Sequence, residues 1–256
     1  MLETVSLEGL AERLDEAART ARAIPQLAEP LNIEDAYRVA ALSLQRRYAR
    51  GERRVGLKMG FTSRAKMVQM GLAELIWGRL TDAMLVDDGG SLSRARYVHP
   101  RVEPEVAFVL AKPLAGRVSL LEAAGAVGGV AAAMEIIDSR YENFKFSLTD
   151  VVADNTSAAG FVLGPWFDPD TDVSNLGMLL EIDGNAVQVG SSAAILDRPL
   201  RSLVAAARLA GVAGERLEVG DIVLAGGATA AEPLVAGNRV RLCVEVLGDV
   251  EFTVTA

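Results

Sequence analysis

Histidine and cysteine are almost absent from this sequence, with one of each, His99 and Cys243, in 256 residues. A single histidine excludes mechanisms that need two, and most zinc centres. A Ser-His-Asp triad would have to run through His99, and no Gly-x-Ser-x-Gly elbow is present. His99 beside Pro100 therefore reads as structural, or as a support for groups that do chemistry. One cysteine leaves no disulfide within the chain and points to a reducing, cytoplasmic setting. Cys243 lies in an apolar run and reads as a core thiol. No apolar run approaches the ~18 residues of a membrane span. The N-terminus carries Glu3 and Glu8 without an apolar core, so no secretory signal is expected. Basic residues are in the minority, 26 against 34 acidic, for a net charge of −8. With no basic cluster, that balance argues against nucleic acid as a partner. Neither Gly-x-Gly-x-x-Gly nor a phosphate loop occurs.

What remains is half hydrophobic. The length suits one large domain or two small ones, and a soluble enzyme of small metabolites fits best. An amphipathic helix is expected over residues 6–22, with Leu7, Leu10, Leu14, Ala17 and Ala21 on one face. After Pro25 and Pro30, Asn32 caps a second helix to about Arg50. Strand character begins at Arg54. Thr62 or Ser63 should then open a short helix to Met70, closed by Gly71. Ser119-Leu120-Leu121-Glu122 is a capping box for another helix to about Ala126. A further helix is expected over 199–210, capped by Gly211, with hairpin turns at Asp183-Gly184 and Gly248-Asp249. Strands and helices do not alternate regularly, and no repeat or linker breaks the chain. The expectation is one α+β domain, with a helical region over 1–51 and a mixed-β core over 52–256.

Three acids sit where apolar residues would be cheaper. Residues 99–110 read as a strand carrying Glu103 and Glu105. Alternation puts both on one face, their Cα atoms ~6–7 Å apart. Glu135 is again an acid inside an apolar run. Burying three carboxylates demands a compensating positive group. An all-oxygen donor set suits a hard cation, Mg²⁺ or Mn²⁺. Spacing alone also admits three solvated acids on sheet faces.

A second constellation surrounds Lys58. In Gly56-Leu57-Lys58-Met59-Gly60 the lysine shares its strand face with two glycines, which leaves room above it for a ligand. An exposed lysine on a half-buried strand has the same pattern. Asp82 follows Gly78 in a loop and reads either as a turn or cap residue or as an acid/base group. Polar loops at 138–146 and 154–157, and Gly226-Gly227-Ala228-Thr229 after an apolar run, are further places where a ligand could be met.

Taken together, Gly56-Leu57-Lys58-Met59-Gly60, Thr62-Ser63, Ala65-Lys66-Met67, Glu103-Pro104-Glu105 and Glu135 resemble the hydratase/decarboxylase family of aromatic meta-cleavage pathways. The runs 136–146 and 151–155, with Gly226-Gly227-Ala228-Thr229-Ala230-Ala231, are more similar to its branch that decarboxylates 4-oxalocrotonate than to its 2-hydroxypentadienoate hydratases. The resemblance covers the chain from about residue 32. It implies a fumarylacetoacetase C-terminal-like mixed-β fold with N-terminal and peripheral helices. It further implies Mg²⁺ or Mn²⁺ on Glu103, Glu105 and Glu135, active-site roles for Lys58 and Asp82, and substrate contacts at Ser157 and Thr229. The implied substrate is the keto-dicarboxylate 2-oxo-3-hexenedioate. A homo-oligomer associated with the pathway hydratase is also implied. Thr156-Ser157-Ala158 departs from the family's more usual Ala-Ser-Ser.

Overall fold

The computed structural model describes residues 6–63 and 74–256. Ser6 caps α1 (Leu7–Thr20), its Oγ accepting the Gly9 N–H at 3.0 Å. Asn32 caps α2 (Ile33–Ala49) in the same way through Asp35. The two helices pack through Leu10, Leu14, Ala36 and Val39, together with Tyr141 and Val151. The helix expected to begin at Thr62 or Ser63 falls largely on residues outside the described ones, as does Ala65-Lys66-Met67.

The rest of the chain builds two sheets. The larger contains β1 (Arg54–Gly60), β2 (Ile76–Thr81), β3 (Leu85–Val86), β5 (Arg101–Leu110), β6 (Val127–Ile137), β7 (Ala158–Leu163), β10 (Ile222–Leu224) and β11 (Glu232–Pro233). Its order is β2-β1-β10-β5-β6-β7-β3, with β11 beside β5. The smaller runs β4 (Ser91–Ser93), β13 (Gly248–Thr255), β12 (Arg239–Val244), β8 (Gly177–Ile182), β9 (Asn185–Ser191). Pairing is mixed: β1–β10, β3–β7 and β4–β13 are parallel, and the long β5–β6 ladder is antiparallel.

Alternation along β5 and β6 divides the larger sheet into two chemically different faces. Val102, Val106, Phe108 and Leu110, with Val130, Ala132, Met134 and Ile136, join the main core with Val240, Leu242, Val250 and Phe252 of the second sheet. The opposite face carries Glu103, Glu105 and Glu135 among small neighbours, Ala107, Ala131 and Ala133. Those alanines leave volume that larger side chains would fill.

α3 (Leu120–Ala124) opens on the expected capping box, with Ser119 and Glu122 bonding reciprocally. A second box, Ser147 with Asp150, opens α4 (Leu148–Ala153). α5 (Leu200–Val212) runs past Gly211, which therefore lies inside the helix and not at its cap. The glycine is needed there because Gly116 packs against it: a Cβ would lie 2.8 Å from the Gly116 Cα. Asp183-Gly184 is the β8–β9 turn, as expected. The β12–β13 turn is Glu245-Val246-Leu247, one step before the expected Gly248-Asp249.

Candidate metal and substrate site

Glu103 and Glu135 face each other directly across β5–β6, and Glu105 lies two residues along the same face. One oxygen from each carboxylate lies within 4.8 Å of the others. Glu105 and Glu135 are fully buried. Glu105 Oε2 accepts the Gly226 N–H at 2.6 Å. Among the described residues, Glu105 Oε1 and Glu135 Oε1 accept no hydrogen bond. Burial, then the neighbouring Glu135 charge, holds the Glu105 carboxyl well above the usual carboxylate range. Glu135 is raised by burial too, against the pull of Lys58. Buried carboxylates with unsatisfied oxygens, converging on one point, fit a hard divalent cation. The donor chemistry and the orphaned oxygens thus agree with the ligand set expected for Mg²⁺ or Mn²⁺.

Lys58 is buried, so the exposed-lysine reading is excluded. Its Nζ lies 3.0 Å from Glu135 Oε2 and donates to the Thr156 carbonyl at 3.1 Å. Burial works to lower its pKa, but Glu135, Glu105 and Glu103 together outweigh burial and raise it, so it stays an ammonium. The flanking glycines act differently from the expectation. A Cβ on Gly56 would lie 1.8 Å from the Ile222 carbonyl oxygen, and one on Gly60 2.9 Å from Thr156 Cγ2. The glycines make room for neighbouring protein, which closes around the lysine stem.

Thr156 and Ser157 reach the site on an unusual turn. Asn155, Thr156 and Ser157 all have left-handed φ, +49°, +54° and +57°. Such a run is costly for non-glycine residues and persists only when surrounding contacts hold it. The Asn155 amide accepts from Arg79 N–H and donates to Arg79 O, both at 2.8 Å. Thr156 Oγ1 donates to the Trp77 carbonyl at 2.7 Å. The turn is thereby fastened to β2. Ser157 Oγ is buried, faces the cleft and has no hydrogen-bond partner among the described residues.

These groups line a cleft of about 290 Å³. Its walls include Ile76, Ile137, Phe144, Phe146 and Val151, with Gly227, Ala230 and Ala231 from the loop after β10. Arg101 lines it as well. Sequence reasoning passed over Arg101, although it lies two residues before Glu103 on the same alternating face.

Other expected residues stand elsewhere. Asp82 is not brought to the cleft. Its carboxylate accepts the Arg53 N–H at 2.9 Å and Arg53 Nε at 3.0 Å, and so holds the turn after β2. Thr229 is absent from the cleft lining, although its loop supplies three lining residues. Its hydroxyl donates to the Ala230 carbonyl at 3.1 Å. His99 is structural: its N–H donates to Asp138, and its ring packs edge-on to Phe144. In the polar loop after β6, Arg140 is buried against Asp154, to which both its backbone N–H and its guanidinium donate. That pairing takes Arg140 out of the cleft and leaves Phe144 and Phe146 as the loop's wall residues.

The fold and this acid-lined cleft agree with a family assignment. Residues 56–255 match the fumarylacetoacetate (FAA) hydrolase C-terminal family, and the chain belongs to it. Within that family it is similar to 4-oxalocrotonate decarboxylases. It is 56% identical to one from Pseudomonas sp over 98% of this chain and 99% of the relative. It is 39% identical to one from Pseudomonas sp. (strain CF600) over 91% and 90%. The solved 4-oxalocrotonate decarboxylase from Pseudomonas putida G7, complexed with magnesium and adipate, superposes with a TM-score of 0.94 at 36% identity, covering 99% of both chains.

Proposed function

We propose that this chain is a metal-dependent carboxy-lyase of aromatic catabolism. It converts 4-oxalocrotonate (2-oxo-3-hexenedioate) to 2-hydroxypenta-2,4-dienoate and CO₂. The observation that carries the reading is the convergence of Glu103, Glu105 and Glu135 in an apolar-walled cleft. The similarity to decarboxylases over nearly the whole chain supports it. Mg²⁺, with Mn²⁺ as substitute, would be held by these three carboxylates. When bound, the cation supplies a Lewis acid for the 2-oxo acid end of the substrate.

The substrate is a vinylogous β-keto acid. The C5–C6 bond breaks, its electron pair passes through C5, C4 and C3 to the oxygen on C2, CO₂ departs, and the dienolate oxygen takes one proton from solvent to give the dienol. The protein must therefore favour negative charge on that oxygen. Lys58 would serve this: its ammonium is held by Glu135 and the Thr156 carbonyl, and a third N–H would go to substrate. Ser157 Oγ supplies a second hydrogen bond. Phe144, Phe146, Val151, Ile76 and Ile137 exclude water from the rest of the chain of carbons. Among the described lining residues there is no histidine to pair with a glutamate and activate a water, which disfavours an acylpyruvate hydrolase. Thr229 orders its loop and Asp82 its turn in this reading. Residues 1–51 and 52–256 act as one domain, with α1 and α2 backing the wall that carries Val151.

The test is incubation of the purified chain with 2-oxo-3-hexenedioate and Mg²⁺, measuring CO₂. Release of CO₂, with little hydration of 2-hydroxypenta-2,4-dienoate supplied alone, is expected. Rapid conversion of the dienoate to 4-hydroxy-2-oxopentanoate without CO₂ from the hexenedioate would make this a hydratase. The same reading places the enzyme in the cytoplasm, where cell fractionation should find it. It also makes the chain a homo-oligomer that docks with the pathway hydratase, to which the unstable dienol passes. Exposed Val187 and Val189 on the open edge strand β9 support association. A monomer by light scattering, unchanged on co-expression with the hydratase, would remove that part.

A further inference from the structure

We infer that Arg101 is the group that recognises the carboxylate of the substrate remote from the metal end, and so sets the preference for a dicarboxylate. The inference rests on the decarboxylase reading above and names the residue that reads its second charge.

Arg101 lies on the acid face of β5, two residues before Glu103, and lines the cleft. Consecutive residues on one strand face lie ~6–7 Å apart. A long side chain one step beyond the carboxylate cluster on the same face is suited to meet the far end of an extended six-carbon diacid whose near end lies at the cluster. The guanidinium lies over the Phe144 ring, 4.4 Å from its centroid. Phe144 is itself fixed edge-on by Phe146, with centroids 5.2 Å apart, and by His99. The stack holds the planar fork at the cleft while leaving its N–H edge free for a carboxylate.

Charge points the same way. Among the described residues, the buried or half-buried arginines nearest this part of the fold are committed to protein: Arg140 to Asp154, Arg79 to Glu215, Arg47 to Glu52. Arg101 has no carboxylate within ion-pairing distance among the described residues. The other described cation of the cleft, Lys58, is held by Glu135 and Thr156. Among the described groups, the three carboxylates, a divalent cation and Lys58 sum to zero charge. A dianionic substrate then has Arg101 as its remaining described counter-charge. The stacked, delocalised guanidinium is weakly hydrated and diffuse, so it can orient the departing carboxylate without the tight hold of a compact ammonium, which would oppose CO₂ loss.

The test is titration calorimetry on the Mg²⁺-loaded full chain with adipate, hexanoate and oxalate, for wild type, Arg101→Met and Arg101→Lys. Methionine keeps an apolar stem over Phe144 and removes the charge. Wild type should prefer adipate over hexanoate. Arg101→Met should lose ~10–100-fold in adipate affinity, the range for a hydrogen bond to a charged group, with hexanoate and oxalate little changed. Arg101→Lys should fall between the two. Equal affinity of wild type for adipate and hexanoate would overturn the inference. So would wild-type adipate binding by Arg101→Met, or an equal loss of adipate and oxalate. CO₂ release by wild type is measured separately. A decarboxylase without the Arg101 effect refutes only the present inference, whereas absent CO₂ release refutes the reading beneath it.

Discussion

Glu105 places a carboxylate where a metal-free protein would best hold a neutral group. Burial raises its pKa, so the metal-free site retains protons that an exposed carboxylate would release. Two consequences follow with definite sign. Cation binding must displace those protons, so apparent Mg²⁺ affinity rises with pH above the ordinary carboxylate value of 4.5 and towards the raised one. Over the same window the unfolded chain loses its proton first, so the metal-free protein loses stability as pH rises. Glu105→Gln removes the charge and keeps the shape. It should raise the Tm of the metal-free protein at neutral pH, abolish the added stability from Mg²⁺, and lower activity ~100-fold or more, since the Lewis acid is worth several kcal/mol. Calorimetric melts with and without Mg²⁺, beside CO₂ assays, check all three. Full activity of the variant in EDTA-treated buffer would refute the metal site.

At the scale of elements, much was legible because local chemistry is strong there. Ser6, Asn32 and Ser119 cap helices as their spacing implies, and alternation in β5 put Glu103 and Glu105 on one face. What the sequence hid depends on contacts far along the chain. Nothing in Asn155-Thr156-Ser157 signals three left-handed residues, because the turn is held by Arg79 and Trp77, more than seventy positions away. Likewise, the fates of Lys58, Asp82 and Arg140 were set by Glu135, Arg53 and Asp154, which spacing cannot pair. The second sheet was legible as strands and turns but not as a separate layer. The turn's importance is testable in Asn155→Ala, which removes two buried hydrogen bonds and places alanine at a positive φ. Stability should fall by about 2–4 kcal/mol in urea. Turnover should fall as well, because the Thr156 carbonyl and Ser157 hydroxyl lose their anchor. Unchanged kcat at full folding would show that the turn is structural only.

Across the whole molecule, the three acids and the walls around them have different origins. Glu103, Glu105 and Glu135 hang from β5 and β6, neighbours in the middle of the larger sheet. Phe144, Phe146, Val151, Thr156 and Ser157 come from the connection between β6 and β7, two strands that already pair side by side. A hairpin connection can be rewritten without disturbing the ladder it joins. The architecture thus hangs the ion-holding carboxylates on the ladder and much of the cleft wall on the connection beside it. A chimera that takes residues 138–157 from a family member with another substrate should still gain stability from Mg²⁺ in a thermal melt and keep the Arg101-dependent preference for a dicarboxylate, yet change its preference among carbon skeletons; loss of the Mg²⁺ response would show that frame and connection act as one unit.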